Sequence, residues 1–325
     1  MPITRVHAQG QTKQYKLFAF SNALSTRQAS MTTSASPARA PVPAGFKPPR
    51  TTLHTTRVLP GFKSSLSLTV TYLSLIVLIP LAALVARPWE HGLQGFLFVL
   101  TDPRVIASLK LTFGVAAAAA VLNLFVGLII AWVLTRYSFP GRRLLDALVD
   151  LPFALPTAVA GIALCTLYAP SGWIGALFDP IGIKIAYTPL GIFVALVFVG
   201  LPFVVRSVQP VLAEFDAEVE EAAQTLGASP IQTAVRVIFP ALAPALLSGF
   251  SLALARAVGE YGSVIFIAGN MPYVSEITPL LIVIKLQEFD YAGAASVALV
   301  MLGLSFLVLI LLNAVQLWLG RQGGR

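Results

Sequence analysis

The sequence predicts an all-α polytopic membrane protein with six transmembrane helices, and three observations support that prediction. Hydrophobic residues make up 57% of the 325 positions and charged residues only 11%, with a mean hydropathy of +0.82. Uncharged apolar runs of about 20 residues, the length needed to cross a bilayer, recur along the chain. Between the fourth and fifth runs lies a polar, amphipathic segment. A water-soluble domain of this size could not bury so much apolar surface.

The six predicted spans differ in what their small residues and prolines indicate. In the second span, the alanine run 116–120 and Gly127 give a small-residue face for close helix packing. The third span holds Pro152 and Pro156, which predict a kinked helix, either beside a cavity or as an ordinary packed kink. In chain order the spans are about 66–86, 111–135, 147–169, 188–205, 241–267 and 293–319.

The two ends of the chain are predicted to lie outside the membrane domain 64–320. Residues 1–63 contain no acid and are rich in Ser, Thr, Ala, Pro, Lys and Arg, which predicts a disordered tail. Two explanations stay open for it: an overlong gene start, with Met31 as the true start, or an organelle transit peptide. Residues 321–325 form a short C-terminal tail.

The net charge of +8 reflects membrane topology rather than nucleic-acid binding. Ten of the 22 Lys and Arg precede the first acid, Glu90, so the basic excess belongs to the N-terminal region. Lys and Arg counts in the loops predict that both termini and the polar segment are cytoplasmic. Beyond the tail, the cytoplasmic side receives Arg136, Arg142, Arg143, Arg206, Arg236, Arg321 and Arg325, and the other side Arg87, Arg104, Lys110, Lys184 and Lys285.

The polar segment, within 211–240, predicts a helix–turn–helix. Gly227 is placed to end the first helix in the left-handed region, and Ser229, Pro230 and Gln232 form a helix-start signal. A soluble-looking helix pair between spans is expected to meet a partner outside the bilayer, although a folded loop is the plainer alternative. The first helix carries on one face Phe215, Val219, Ala222, Ala223 and Leu226.

No chemistry is predicted for this chain alone. It has no Gly-Lys dipeptide, so it lacks the glycine-rich loop that cradles nucleotide phosphates. His7, His54 and His91 lie outside the spans and form no metal-spaced cluster, and Cys165 lies in an apolar run. We therefore expect no catalytic, cofactor or metal site, with energy coming from another subunit or an ion gradient.

Arg256 and Glu260 are the costly residues of the fifth span. A charged side chain at mid-helix costs about 2.5–3.5 kcal/mol on the insertion scale, and residues four apart share a helical face and can pair. They either border an anion pathway or form a structural ion pair. Gly259 and Gly262 permit a hinge or close helix contact. The candidate pathway residues are Arg256, Glu260, Tyr261, Pro152 and Pro156.

The polar segment resembles the EAA loop of ABC importer permeases. That pattern is E-A-A, three residues, G, nine residues and I-x-L-P, and here Val237 and Phe239 replace its Ile and Leu. The resemblance implies that the loop docks into a groove of a cytoplasmic ABC ATPase dimer, which uses ATP-Mg. The residues so implicated in coupling are Glu221, Ala222, Ala223, Gly227, Ser229 and Pro240.

A wider resemblance covers residues 58–312. The segments RVLPGF, DLPFALPTAVAG, GLPFVVRSVQPVL, ARAVGEYGSVIFIAGN and SEITPLLI are similar to the T-type permease subunits of bacterial sulfate/thiosulfate importers. This implies a type I importer core of six helices, a W-type partner permease and a periplasmic sulfate-binding protein. It also implies the bacterial inner membrane, or alternatively the plastid envelope inner membrane. A molybdate or tungstate permease, an ion-driven carrier and a non-transport scaffold remain as alternatives.

Overall fold

The computed structural model of the protein describes residues 62–323, and within that range it is all-α, which confirms the predicted class. The predicted N-terminal tail lies outside the described residues, except for its last two positions. The helices are α1 over 62–86 with a π-helical turn at Ser74–Leu78, α2 Gly92–Thr101, α3 Pro103–Arg136, α4 Arg142–Val149, α5 Leu151–Ala154, α6 Thr157–Tyr168, α7 Gly175–Phe178, α8 Pro189–Glu214, α9 Ala217–Thr225, α10 Pro230–Val258, α11 Val264–Ile267, α12 Thr278–Gln287 and α13 Tyr291–Gly323.

Five helices in the described range, α1, α3, α8, α10 and α13, are long and apolar enough to cross a membrane. They correspond to five of the six predicted spans. Helix α13 continues through the start of the predicted C-terminal tail.

The remaining predicted span, 147–169, is not one kinked helix but three short helices, α4, α5 and α6. Leu155 and Pro156 have extended backbone conformations between α5 and α6. Proline has no amide hydrogen, and it disfavours helical conformation in the residue before it. Pro152 at the start of α5 and Pro156 before α6 therefore break the span where a single bend was predicted.

Helix α3 begins earlier than predicted. The Asp102 side chain accepts a hydrogen bond from the backbone amide of Arg104 at 2.8 Å, and Pro103 occupies the first helical position. These are standard helix-start features. Arg104 and Lys110, which we assigned to an external loop, consequently lie inside the first turns of α3.

The fifth span also differs from its prediction at its end. Helix α10 ends at Val258, and the chain turns through 259–263 into the short helix α11. The loop predicted after it contains a further apolar helix, α12, which begins behind an extended Ile277 with Pro279 in its first turn. Ten residues are too few to span a bilayer, so the hydropathy pattern did not distinguish α12 from a loop.

The core lies where α3, α8 and α10 pack together. Ala116, Ala119 and Ala120 of α3 are fully buried there, as the small-residue face predicted. A Cβ on Gly127 would lie 2.8 Å from the Val204 side chain of α8, so only glycine permits this approach. The three helices therefore form a closely packed unit. By contrast, the apolar core of α1 contains no buried residue.

Candidate functional site

The helix pair after α8 has the predicted turn chemistry. Gly227 adopts φ +83°, and its amide donates to the carbonyl of Gln224 at 2.9 Å. The Ser229 hydroxyl accepts from the amide of Gln232 at 3.3 Å, while the Gln232 side chain accepts from the amide of Ser229 at 2.9 Å. This is a complete capping box behind a left-handed glycine. The predicted helix–turn–helix is present.

The second helix of the pair is longer than predicted. It does not stop at Pro240, because Pro230–Val258 is one continuous helix that includes the predicted fifth span. A π-helical turn, Ala234–Ile238, directly precedes Phe239 and Pro240. Proline removes an amide and its ring displaces the carbonyl four residues earlier, and the wider turn accommodates that defect without ending the helix.

Much of the helix pair is exposed. The apolar side chains of Leu226 and Ile231, on either side of the turn, are 88% and 77% exposed. Among the residues that the EAA resemblance implicates, Glu221 and Ala222 are exposed, and Ala223 is half-buried. We call the exposed apolar side chains the apolar face of the helix pair; it consists of Val219, Ala222, Leu226, Ile231 and Val235.

An ion pair joins α9 to the end of α3. Arg136, the last residue of α3, donates through Nη2 to Glu220 Oε1 at 2.5 Å. The Arg136 guanidinium lies 5.5 Å from the ring centroid of Trp132 and 6.0 Å from that of Phe215, within the range of cation–π attraction. The two residues are 84 positions apart, so no local sequence pattern predicted this pair.

The predicted pairing of Arg256 with Glu260 is confirmed, but its predicted mid-helix position is wrong. Arg256 lies in the last turn of α10, and Glu260 lies beyond the end of the helix, in the 259–263 turn. The Glu260 side chain is only 2% exposed, and it also accepts hydrogen bonds from the Ser263 amide at 2.8 Å and the Ser263 hydroxyl at 2.9 Å. The buried carboxylate thus bonds through one oxygen to Arg256 of α10 and through the other to Ser263 of its own turn.

The 259–263 turn packs directly on the start of α6. A Cβ on Gly262 would lie 2.3 Å from the Thr157 hydroxyl oxygen, and a Cβ on Gly161 would lie 2.3 Å from the carbonyl oxygen of Ser263. The predicted role of Gly262 in close packing is therefore confirmed, whereas Gly259 has no such neighbour. These contacts bring the Pro156 end of α6 close to Glu260.

The other pathway candidates are placed differently. Tyr261 is half-buried and packs against the main core. Pro152 lies in α5, whose Phe153 makes an edge-to-face contact with Phe203 of α8, 5.1 Å between ring centroids. Four of the five candidates, Arg256, Glu260, Tyr261 and Pro156, therefore lie at or next to the 259–263 turn, and Pro152 lies on a separate segment.

The comparison with known protein families decides what kind of membrane protein this is. Residues 123–322, more than half of the chain, match the model of the family described as "Binding-protein-dependent transport system inner membrane component". The chain belongs to this family. Membership favours the importer-permease interpretation over an ion-driven carrier or a scaffold.

Two relatives of this permease are similar over most of their length. The "Sulfate transport system permease protein CysT" of Salmonella typhimurium is 49% identical over 266 residues, which cover 82% of this chain and 96% of that protein. The protein of the same description from Synechocystis is 49% identical over 254 residues, covering 78% of this chain and 88% of that one.

The fold of the permease is also found in a solved importer. A chain of a bacterial ABC transporter that imports the polysaccharide alginate superposes with a TM-score of 0.67 at 14% identity, covering 78% of this chain and 94% of that one. At this identity the likeness concerns the fold alone. It supports an ABC importer permease architecture.

Two further ionic clusters of the permease had no sequence signal. Arg104 donates to both carboxylate oxygens of Glu276, at 2.8 and 2.7 Å, and the Glu276 side chain is 1% exposed. Next to it, the Thr278 hydroxyl lies 3.3 Å from the Ser108 hydroxyl and accepts a hydrogen bond from the Thr112 hydroxyl at 3.1 Å. The paired residues are 172 positions apart in the sequence, so local patterns could not reveal them.

The second cluster fixes the α4–α5 segment to α8. Arg206 donates to Asp150 through Nε at 2.8 Å and Nη2 at 2.5 Å, and to Asp146 through Nη1 at 2.7 Å. Hydrogen bonds from Gln209 and Arg206 to the Asp146 carboxylate hold its pKa below the ordinary value, against the effect of burial. Within the described range, no three His, Cys, Asp or Glu side chains are grouped to hold a metal ion.

Proposed function

We propose that this chain is the sulfate-translocating permease subunit of an ATP-driven importer. The observation that carries the proposal is the 49% identity to a sulfate transport permease over 96% of that protein's length. The membership in a binding-protein-dependent transport family and the importer-permease fold agree with it. Thiosulfate is the second cargo that we propose.

We further propose that the helix pair is the docking element for a dimeric cytoplasmic ATPase, which binds and hydrolyses ATP-Mg. Leu226 and Ile231 expose large apolar side chains on either side of the turn. Exposed apolar patches of this kind favour burial against a partner protein. Gly227 has open space around its Cβ position, so a partner surface can approach the turn closely. The coupling residues in this proposal are Glu221, Ala222, Ala223, Gly227, Ser229 and Pro240.

The assembly that this proposal requires has three other components. They are the ATPase dimer, a W-type partner permease and a periplasmic sulfate-binding protein. We place the complex in the bacterial inner membrane with both termini and the helix pair on the ATPase side. If residues 1–63 are a transit peptide, the same orientation applies to a plastid envelope membrane.

For the pathway, we propose separate roles for Arg256 and Glu260. Glu260 is buried, paired and doubly hydrogen-bonded, so its role is to hold the 259–263 turn. The Arg256 side chain is 35% exposed, and we propose that its positive charge borders the pathway. The pairing limits how tightly Arg256 would retain an anion, which a transport pathway requires. We propose that Tyr261 and Pro156 border the same region, and that Pro152 borders the pathway from the separate segment α5.

The experiment that tests this function is uptake of labelled sulfate in cells lacking the gene and in cells with it restored. We expect restoration to return uptake, unlabelled thiosulfate to compete, and phosphate not to compete. Molybdate competing more strongly than sulfate would favour the molybdate or tungstate alternative. Equal sulfate uptake with and without the gene would contradict the proposal.

A further inference from the structure

Arg136 occupies a special position at the junction of three elements. It is the last residue of α3, its guanidinium binds Glu220 of α9, and it faces the ring of Phe215 in the connection between α8 and α9. The Trp132 ring, one turn earlier in α3, flanks the same guanidinium. One side chain therefore contacts both the helix pair and the segment that leads into it.

Helix α9 has few other attachments. In the part of the chain that the structure describes, Glu220–Arg136 is the only ion pair of α9, and it is the only side-chain hydrogen bond between α9 and another helix. Glu218, Glu221 and Ala222 of α9 are exposed. The covalent connections to α8 and α10 apart, Arg136 is thus the main polar link between α9 and the membrane helices.

The contact is suited to transmit a displacement. The two side chains are 22% and 24% exposed, so solvent screens the pair less than it screens a fully exposed one. The neighbouring rings of Trp132 and Phe215 further restrict the orientation of the Arg136 guanidinium. Beyond Arg136, α3 packs along α8 and α10, with Gly127 in contact with Val204. Because that packing is close, a shift at the end of α3 affects the whole three-helix unit.

We infer that Arg136 is a positioning residue that couples the docking helix α9 to α3. When the ATPase displaces α9, the chain connections pull α8 and α10, and the Arg136–Glu220 pair makes α3 follow. This inference rests on the proposed docking function of the helix pair. It adds a third helix to the unit that ATP hydrolysis moves.

The test uses the complete complex reconstituted in lipid vesicles, with sulfate as cargo. The variants are Arg136→Glu, Glu220→Arg and the double exchange of both. We expect each single reversal to lower the sulfate moved per ATP hydrolysed by about five- to tenfold, the range that a pairwise coupling can produce. The double exchange restores the pair and should recover most of that ratio. A merely structural role would change assembly and thermal stability but not this ratio.

Matched controls separate the possible failures. Arg143→Glu reverses an exposed arginine of α4 and should leave the ratio unchanged. If the charge-reversal variants fail to assemble, Glu220→Gln takes their place. It keeps the size of the side chain while removing its charge, and we expect it to lower the sulfate moved per ATP by less than the reversals do. An unchanged ratio in Arg136→Glu, or a double exchange no better than either single variant, would overturn the inference. A wild-type complex that hydrolyses ATP without moving sulfate would instead contradict the proposed function.

Discussion

Helix α3 carries an arginine–glutamate pair at each end, and the two pairs differ in strength. Near its start, Arg104 binds Glu276 through two hydrogen bonds, and the carboxylate is 1% exposed. At its end, Arg136 binds Glu220 through one, and that carboxylate is 24% exposed. Two parallel hydrogen bonds fix geometry more strictly than one. We infer that α3 is anchored at its start and adjustable at its end.

The surroundings of the two pairs reinforce this difference. At the start of α3, the backbone amide of Thr278 donates to the Thr112 hydroxyl at 2.9 Å, and Ser108 lies against the same cluster. Buried, mutually satisfied polar groups of this kind specify one arrangement. At the other end, the helix pair presents an exposed apolar face instead. The start of α3 is therefore held by more buried polar contacts than its end.

The largest effect is expected from Arg104→Met. The substitution leaves the Glu276 carboxylate, whose side chain is 1% exposed, buried without its charged partner, and we expect a loss of about 3 kcal/mol in the free energy of unfolding. The matched change at the other end of α3, Arg136→Met, leaves Glu220, which is 24% exposed and therefore partly solvated, so it should cost about 1 kcal/mol. Thermal unfolding of both variants in detergent measures the difference. Equal losses would show that the two ends are held alike.

An intermediate effect is expected from Gly227→Leu. A leucine at φ +83° is strained by about 1–3 kcal/mol, and its side chain projects where we propose that the ATPase docks. We expect normal membrane insertion but about tenfold weaker co-purification with the ATPase, equivalent to about 1.4 kcal/mol.

Gly182→Leu is the matched control for that prediction. Gly182 also has a positive φ, +76°, and open space at its Cβ position, but it lies in the loop between α7 and α8. It should produce similar backbone strain without affecting ATPase binding. Undiminished ATPase binding and transport in Gly227→Leu would show that the turn is not part of the docking surface.

The smallest effect is expected from Thr278→Val. The substitution removes one hydroxyl from the buried cluster but keeps the backbone hydrogen bond to Thr112, so the expected loss is about 1 kcal/mol in the free energy of unfolding. Thr166→Val, whose hydroxyl bonds only within its own exposed helix turn, should change stability by less than about 0.5 kcal/mol. An unchanged free energy of unfolding in Thr278→Val would mean that the hydroxyl cluster contributes little to holding the start of α3.

Local sequence signals predicted the parts of this fold that depend on neighbouring residues. Long apolar runs identified five membrane helices, and the Gly227–Gln232 pattern identified the turn and its capping box. Local signals did not predict helices shorter than a membrane span or contacts between residues far apart in the sequence. Helix α12 is too short for a hydropathy window, and Arg104 and Glu276 meet only because the fold brings together residues 172 positions apart.

The fifth span shows why helix ends are harder to predict than helices. The predicted span continues to Ile267 across residues 259–263, but the helix ends at Val258, where the chain turns and Glu260 bonds to Ser263. Conversely, Pro240 was interpreted as a boundary, and the π-helical turn let the helix pass it. In both places a local backbone geometry, invisible in the hydropathy pattern, decided the outcome.

The π-helical turn at Ala234–Ile238 also determines in which direction around the axis of α10 the later side chains of that helix point. Helix α10 is 29 residues long and, at about 1.5 Å per residue, spans about 43 Å from Pro230 at the turn of the helix pair to Val258, with Arg256 in its last turn. A π-helical turn holds about one residue more than an α-helical turn, so removing one residue there would restore ordinary winding and keep the azimuth of Arg256. Removing one elsewhere in α10 would swing Arg256 by about 100°.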